Sequence, residues 1–221
     1  MSENVAAVLA NSPATYDQRR RGIGIELDPL PGMDFRMSTT LTLLDWCMSE
    51  QDVPRAVLDF AAGGGNVGWW AQLHDWQPFA YYATEQSAQQ CATIRERVAD
   101  ASVCEWRCDV GGTPLLSALE AAKDPFLREY PVVLFSHGPE HHEDPYHAME
   151  ECWSLVRPGG WVLVVSARND AHRSHFRKYT LDDLAALVGD IAGFGNPIVT
   201  WPLDYWADIF VAAQKTHGVL A

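Results

Sequence analysis

Positive charge is scarce in this chain. Its 221 residues carry 16 Lys and Arg against 29 Asp and Glu, a formal net charge of −13. A surface of that sign repels phosphate backbones, so nucleic acid is not an expected partner. The dense basic cluster Arg19-Arg20-Arg21 reads as a solvated N-terminal arm. Cysteine is also sparse and odd in number, with Cys47, Cys91, Cys104, Cys108 and Cys152 and no Cys-x-x-Cys pair. That pattern argues against a disulfide framework and a zinc knuckle, and for free thiols in a reducing cytoplasm. No apolar run reaches the roughly 18–20 residues of a membrane helix. Met1 to Tyr16 show no basic start followed by a long apolar stretch, so neither a signal peptide nor a membrane partner is expected. Internal repeats and low-complexity tracts are missing too.

Hydrophobic residues make up 48% of the chain, enough for a sizeable core. Residues 1–50 read as an N-terminal arm or helical cap, and residues 51–221 as one α/β domain. Prolines and glycines break up residues 1–37. Ser38 or Thr39 then offers a cap for a helix with Leu41, Leu44 and Met48 at helical spacing. Strands are expected at 56–60, 79–84, 103–107, 132–136, 161–166, 198–201 and 209–213. Helices are expected at 67–74, 87–99, 113–122, 145–156 and 180–188. Ser87, Asp144 and Thr180 serve as caps, and Pro145 suits a first helical position. Alternation of this kind predicts a mainly parallel sheet with helices on both faces.

The strongest local signal is Val57-Leu58-Asp59-Phe60-Ala61-Ala62-Gly63-Gly64-Gly65-Asn66-Val67-Gly68, a buried strand running through small residues into a helix. Small side chains let a ligand approach the backbone, and a helix start offers N–H donors. Gly63, Gly65 and Gly68 satisfy G-x-G-x-x-G, a weak match alone. Asp59 beside the loop would repel a pyrophosphate and suit a ligand with a cationic amino group. Glu85, closing the second strand, can accept both hydroxyls of a ribose. Asp109, after the third strand, can accept an adenine amine.

Taken in this order, the motifs resemble the class I S-adenosylmethionine-dependent methyltransferases, small-molecule subgroup, over roughly residues 55–215. Asp59, Gly63 and Gly65 match the family's D-x-G-x-G-x-G, with Ala61 in place of its first glycine. Glu140-His141…Asp144-Pro145 resembles the family's E-H-x-x-D-P stretch, and Arg157-Pro158-Gly159-Gly160 its turn before strand five. His175-Phe176-Arg177-Lys178-Tyr179-Thr180 resembles the segment before its next helix. The resemblance implies a Rossmann-like seven-stranded sheet of order 3-2-1-4-5-7-6 with the last strand antiparallel. It also implies S-adenosyl-L-methionine as cofactor, with S-adenosyl-L-homocysteine as product. Asp59, Ala61, Gly63, Gly65, Glu85, Gln86, Asp109, Val110 and Ser136 form the expected cofactor-binding set.

Histidines cluster at His137, His141, His142 and His147, and again at His172 and His175. An imidazole titrates near neutrality, which suits a general base. His141 is the first candidate and His142 and His175 the alternatives. No metal site is expected, because the adjacent pair His141-His142 gives a poor ligand pattern. Trp69 and Trp70 are candidate pocket residues, and Tyr16, Met33, Phe35 and Met37 candidate acceptor contacts. The expected activity is O- or N-methylation of a small-molecule acceptor by in-line displacement, with a homodimer as a further expectation. Two rival readings share these motifs: a nicotinamide-dependent oxidoreductase, and a non-methylating S-adenosylmethionine-binding protein.

Overall fold

The computed structural model describes residues 33–49, 51–168, 175–201 and 208–216. Helix α1 (Met33–Ser49) leads to β1 (Ala56–Phe60), α2 (Asn66–Leu73), β2 (Ala80–Glu85), α3 (Ala88–Arg97) and β3 (Ser102–Glu105). Then come α4 (Leu115–Ala121), β4 (Tyr130–Ser136), α5 (Pro145–Ser154), β5 (Val156–Ala167), α6 (Leu181–Ala192), β6 (Ile198–Trp201) and β7 (Asp208–Gln214). The seven strands form one sheet in the order β3-β2-β1-β4-β5-β7-β6. Strands β1 to β5 run parallel, and β7 is antiparallel to both of its neighbours, as the family resemblance implied.

The central strands are apolar on both faces because helices cover both. Every residue of β1 is buried, as expected of a strand inside a doubly covered parallel sheet. Leu58, Phe60, Val133 and Phe135 face α4, α5 and α6, where Leu119, Met149 and Leu187 lie. Val57, Val132, Leu134 and Leu163 face α1 and α2. Helix α1, within the segment read as an arm, therefore packs on the sheet through Leu41, Leu44 and Met48. Asp45 of α1 accepts from Trp76 Nε1 at 2.6 Å and pairs with Arg55, which pins the helix beside β1.

Capping explains the helix starts. Ser87 accepts from the Gln90 N–H, Asp144 from His147 with Pro145 at the first position, and Thr180 and Asp183 form a reciprocal capping box. The first helix departs from expectation. It begins at Met33, so neither Ser38 nor Thr39 caps it, and the Ser38 carbonyl instead accepts from Thr42 Oγ1 inside the helix.

Strands four and five are longer than the apolar runs indicate. Pro131 lies within β4, at a register shift between Tyr130 and Val132, where a missing N–H is tolerated. Val156 pairs with Tyr130, so it belongs to β5 and not to the preceding helix. Arg157-Pro158-Gly159-Gly160 consequently sits inside β5 at that irregularity, and not ahead of the strand. The third strand stops at Glu105, two residues short of its expected end.

Candidate active site

The carboxyl ends of β1, β2, β3 and β4 lie side by side, the usual ligand edge of an open α/β sheet. This edge gathers Asp59 near the end of β1 and Ala61 just after it, Glu85 at the end of β2 and Gln86 just after it, Asp109 and Val110 beyond β3, and Ser136 at the end of β4. The turn after β1 is tight. Ala61, Gly63 and Gly65 all take positive φ, at 56°, 57° and 70°. Glycine adopts that region freely, whereas alanine pays about 1–2 kcal/mol for it. Ala61 thus strains the loop.

The loop's donors are turned inward. Ala61 N–H donates to Thr84 Oγ1 at 3.2 Å and Ala62 N–H to the Thr84 carbonyl at 2.9 Å. Gly63 N–H donates to Glu85 Oε2 at 2.8 Å, and Gly65 N–H to the Ala62 carbonyl at 3.0 Å. Glu85 Oε1 accepts from the Ser87 N–H at 3.0 Å. These bonds fix the plane of a buried carboxylate at the sheet edge.

Asp59 and Gly68 work through Tyr81. A Cβ on Gly68 would stand 3.0 Å from the Tyr81 ring, so the glycine lets α2 lie directly on β2. The Tyr81 hydroxyl donates to Asp59 Oδ2 at 2.5 Å. Burial pushes the Asp59 carboxyl up to about 7, with the tyrosine bond opposing and the Glu85 carboxylate adding to the rise. At the far end of the edge, Asp109 is exposed and pairs with Arg107 at 2.9 Å. Such a pair is worth at most about 1 kcal/mol and yields readily to a ligand. Beside it Val110 is 72% exposed, an apolar side chain open to a planar ring.

After β4 the chain folds sharply over Phe135. A Cβ on Gly138 would stand 1.8 Å from that ring, so only glycine fits. The fold-back places a single 3-10 turn, Pro139–His141, against the end of β5. His137, itself at φ 52°, has Nδ1 3.2 Å from Glu140 Oε1 and Nε2 3.2 Å from Asp208 Oδ1. The Nε2 contact is poorly aligned for a hydrogen bond. Asp208 in turn pairs with Arg36 of α1, at 2.5 Å from Nε and 3.2 Å from Nη2. Burial alone would lower the His137 pKa, but the two carboxylates outweigh it and raise it to about 9. Burial likewise works against ionised Glu140, yet His137 and then His141 bring that carboxyl down to about 2.

The three candidate bases part company here. His141 and His175 meet edge to face, ring centroids 4.7 Å apart. The Phe176 N–H donates to the Glu140 carbonyl at 2.8 Å, which ties the two segments together. His142 turns the other way, against Phe60 and Phe135, with centroids at 6.1 and 5.5 Å. Burial lowers its pKa to about 4, so it is a neutral packing group. Trp70 is also core, stacked on His74 at 4.6 Å, while Trp69 lies under the Arg97 guanidinium. Met37 is buried against the sheet. Tyr16 and His172 lie outside the described residues, as do the side chains of Met33 and Phe35.

Sequence reasoning missed Arg36, Ser166 and Asp208, and read Glu140 as a motif letter only. No short-range pattern marks them, since Arg36 and Asp208 are 172 positions apart.

Residues 58–164 match the family model described as a methyltransferase domain. No curated protein matches the chain. Solved structures of similar fold include the magnesium protoporphyrin IX methyltransferase of Synechocystis PCC 6803 with bound SAH. It shares 13% identity at TM-score 0.61, over 97% of this chain and 100% of that one. A plantazolicin methyltransferase in complex with a triazolic analogue and SAH shares 11% at TM-score 0.68, over 97% and 96%. The 1,6-didemethyltoxoflavin-N1-methyltransferase of Burkholderia thailandensis, with its substrate and S-adenosylhomocysteine bound, shares 16% at TM-score 0.62, over 97% and 90%. Identities this low speak to the fold and to nothing finer.

Proposed function

We propose, of a chain that belongs to the class I Rossmann-like S-adenosylmethionine-dependent methyltransferases, that it methylates an oxygen or nitrogen of a small-molecule acceptor. The carrying observation is the inward-turned loop. A phosphate-binding loop aims its N–H groups at the ligand, whereas here those of Ala61, Ala62, Gly63 and Gly65 are all bonded to the protein. With Asp59 and Glu85 alongside, the loop suits a phosphate-free cationic nucleoside and disfavours a dinucleotide. That argument sets the oxidoreductase reading aside.

The residues fit the cofactor. Glu85 is assigned the ribose hydroxyls, with Gln86 flanking. Asp109 is assigned the adenine amine, with Val110 against the ring face. Ala61, Gly63 and Gly65 supply the close backbone approach, and Ser136 closes the site at β4. Asp59 acts from behind the loop, as a buried carboxyl that a nearby cation would draw toward ionisation. When bound, the cofactor supplies an electrophilic sulfonium methyl, whose transfer breaks the C–S bond with its electron pair going to sulfur.

The chain's own task is alignment, exclusion of water and removal of the acceptor's proton. His141 is assigned that proton, with His175 packed against it to hold the ring. Glu140, anchored by Ser166 and Ala167, fixes the turn that carries His141. The free cysteines support a cytoplasmic location, and among the described residues no helix is long and apolar enough to cross a membrane. A homodimer belongs to the same proposal and is read by sedimentation velocity. The function is tested by incubating the protein with S-adenosylmethionine and a panel of phenols, sugars and heterocyclic amines. Acceptor-dependent release of S-adenosylhomocysteine is the expected result, and release no faster than without acceptor across the panel counts against it.

A further inference from the structure

Glu140, His141 and His175 come from two segments more than thirty positions apart and converge on one place. One ligand atom from each lies within 4.8 Å of the others. Two imidazoles and a carboxylate make an N2O donor set, which suits zinc, iron(II) and cobalt(II) better than magnesium or calcium. Donors sharing one ion stand roughly 3–3.5 Å apart, given bonds of about 2.0–2.2 Å.

The carboxylate is prepared as a ligand's would be. Its Oε1 accepts from the Ala167 N–H at 3.2 Å and faces His137 Nδ1 at 3.2 Å. Its Oε2 accepts from Ser166 Oγ at 2.8 Å. Ligating carboxylates are characteristically held in this way by an outer shell of donors. The backbone is fixed as well, through the Gly138 fold-back and the bond from the Phe176 N–H to the Glu140 carbonyl. The net charge of −13 favours cations at any such site.

We propose that Glu140, His141 and His175 bind one divalent transition-metal ion, as a three-ligand site with open coordination positions beside the end of β4. Three protein ligands leave room for exogenous donors, the arrangement of catalytic and not of purely structural sites. The ligand class for those positions is a chelating pair of oxygens, such as adjacent hydroxyls or a hydroxyl beside a carbonyl. That assignment rests on the methyltransferase reading, whereas ion binding itself does not. With the ion in place, His141 and His175 serve as ligands, and the base role assigned to His141 belongs to the ion-free protein.

The test uses untagged full-length protein stripped with a chelator. It is titrated with Co2+ followed by visible absorption, and with Zn2+ by calorimetry. One equivalent should bind, with the ligand-field bands of a mixed nitrogen and oxygen site. His141→Ala and His175→Ala should each weaken Co2+ binding about tenfold or more, while His74→Ala, remote from the trio, should not. Circular dichroism melts establish that each variant is folded, and the two histidine variants carry the test should Glu140→Gln fail to fold. An unchanged Co2+ spectrum on adding wild-type protein, or binding that survives both histidine substitutions, overturns the site. Separate titration with S-adenosylhomocysteine keeps the two readings apart. Protein that binds the nucleoside but no cation overturns this inference alone, and protein that binds neither overturns the proposed function as well.

Discussion

The two ends of the ligand edge are built differently. At β1 and β2 the groups are local: Asp59 to Gly68 is one run of sequence, and Glu85 follows on the next strand. Its polar contacts are mostly backbone bonds within that βαβ unit. At β4 and β5 the groups are brought from Arg36, His137, Glu140, Ser166, His175 and Asp208, and are held by side-chain ion pairs, a hydroxyl hydrogen bond and a ring contact. The first end, the proposed cofactor end, is preorganised by turn geometry. The second, the proposed acceptor end, is preorganised by charge, with His137 between two carboxylates, and depends on long-range folding.

If that contrast is right, substitutions at the two ends should fail differently. The largest effect belongs to His141. With a hydroxyl acceptor, His141→Ala should lower turnover by about 10²–10⁴-fold, measured as kcat at saturating cofactor. His142→Ala, on the opposite face of the same turn, should leave kcat nearly intact and show its loss in a lowered Tm. A rate for His141→Ala within twofold of wild type would leave alignment as the chain's sole contribution.

Next comes Glu140. Glu140→Ala should destabilise the fold by about 3 kcal/mol, because removing one member of a buried pair leaves its partners unsatisfied. Urea denaturation measures this, and a loss below about 1 kcal/mol would show the ion-pair cluster to be incidental. At the cofactor end, Glu85→Ala should weaken S-adenosylhomocysteine binding by about an order of magnitude or more, since two charge-assisted hydrogen bonds are lost.

The Asp59 carboxyl gives a pH signature confined to the first end. Its folded pKa of about 7 lies above the unfolded value. The native state therefore holds the proton to higher pH. The stability from this group is fully present below about pH 4 and is lost as pH rises through 7. Asp59→Asn should remove that slope of about 1.4 kcal/mol per pH unit, as read from urea melts across the window. An identical slope in the variant would assign the pH dependence elsewhere. The smallest effect is Ala61→Gly, which should stabilise by about 1 kcal/mol through relief of positive φ. A drop in Tm would show that the alanine methyl packs usefully.

The same contrast explains what the sequence revealed. Helix caps and the edge from Asp59 to Glu85 were legible because each depends on neighbours in the chain, whereas the strand order followed only from the family resemblance. Ser87, Asp144 and Thr180 cap helices by local hydrogen bonds, and local chemistry is readable. The start of α1 was not, since burial of Met37 and the Arg36 pair with Asp208 hold the helix N-terminal of its apparent cap. Nor was the extension of β4 and β5 around Pro131 and Gly160, where pairing overrides two residue types that ordinarily break strands. At the second end the histidines were visible but not their directions. His141 ends the 3-10 turn and faces His175, while His142, the extended residue just after it, packs on Phe60 and Phe135. Arg36 and Asp208 find each other only once the sheet is assembled.

The central claim is that the inward-bonded loop after β1 holds a phosphate-free cationic nucleoside. Calorimetric titration of the wild-type protein with S-adenosylhomocysteine and, in parallel, with reduced nicotinamide dinucleotide tests it most directly. One equivalent of S-adenosylhomocysteine should bind with measurable heat and the dinucleotide should give none. Dinucleotide binding without S-adenosylhomocysteine binding would contradict the account.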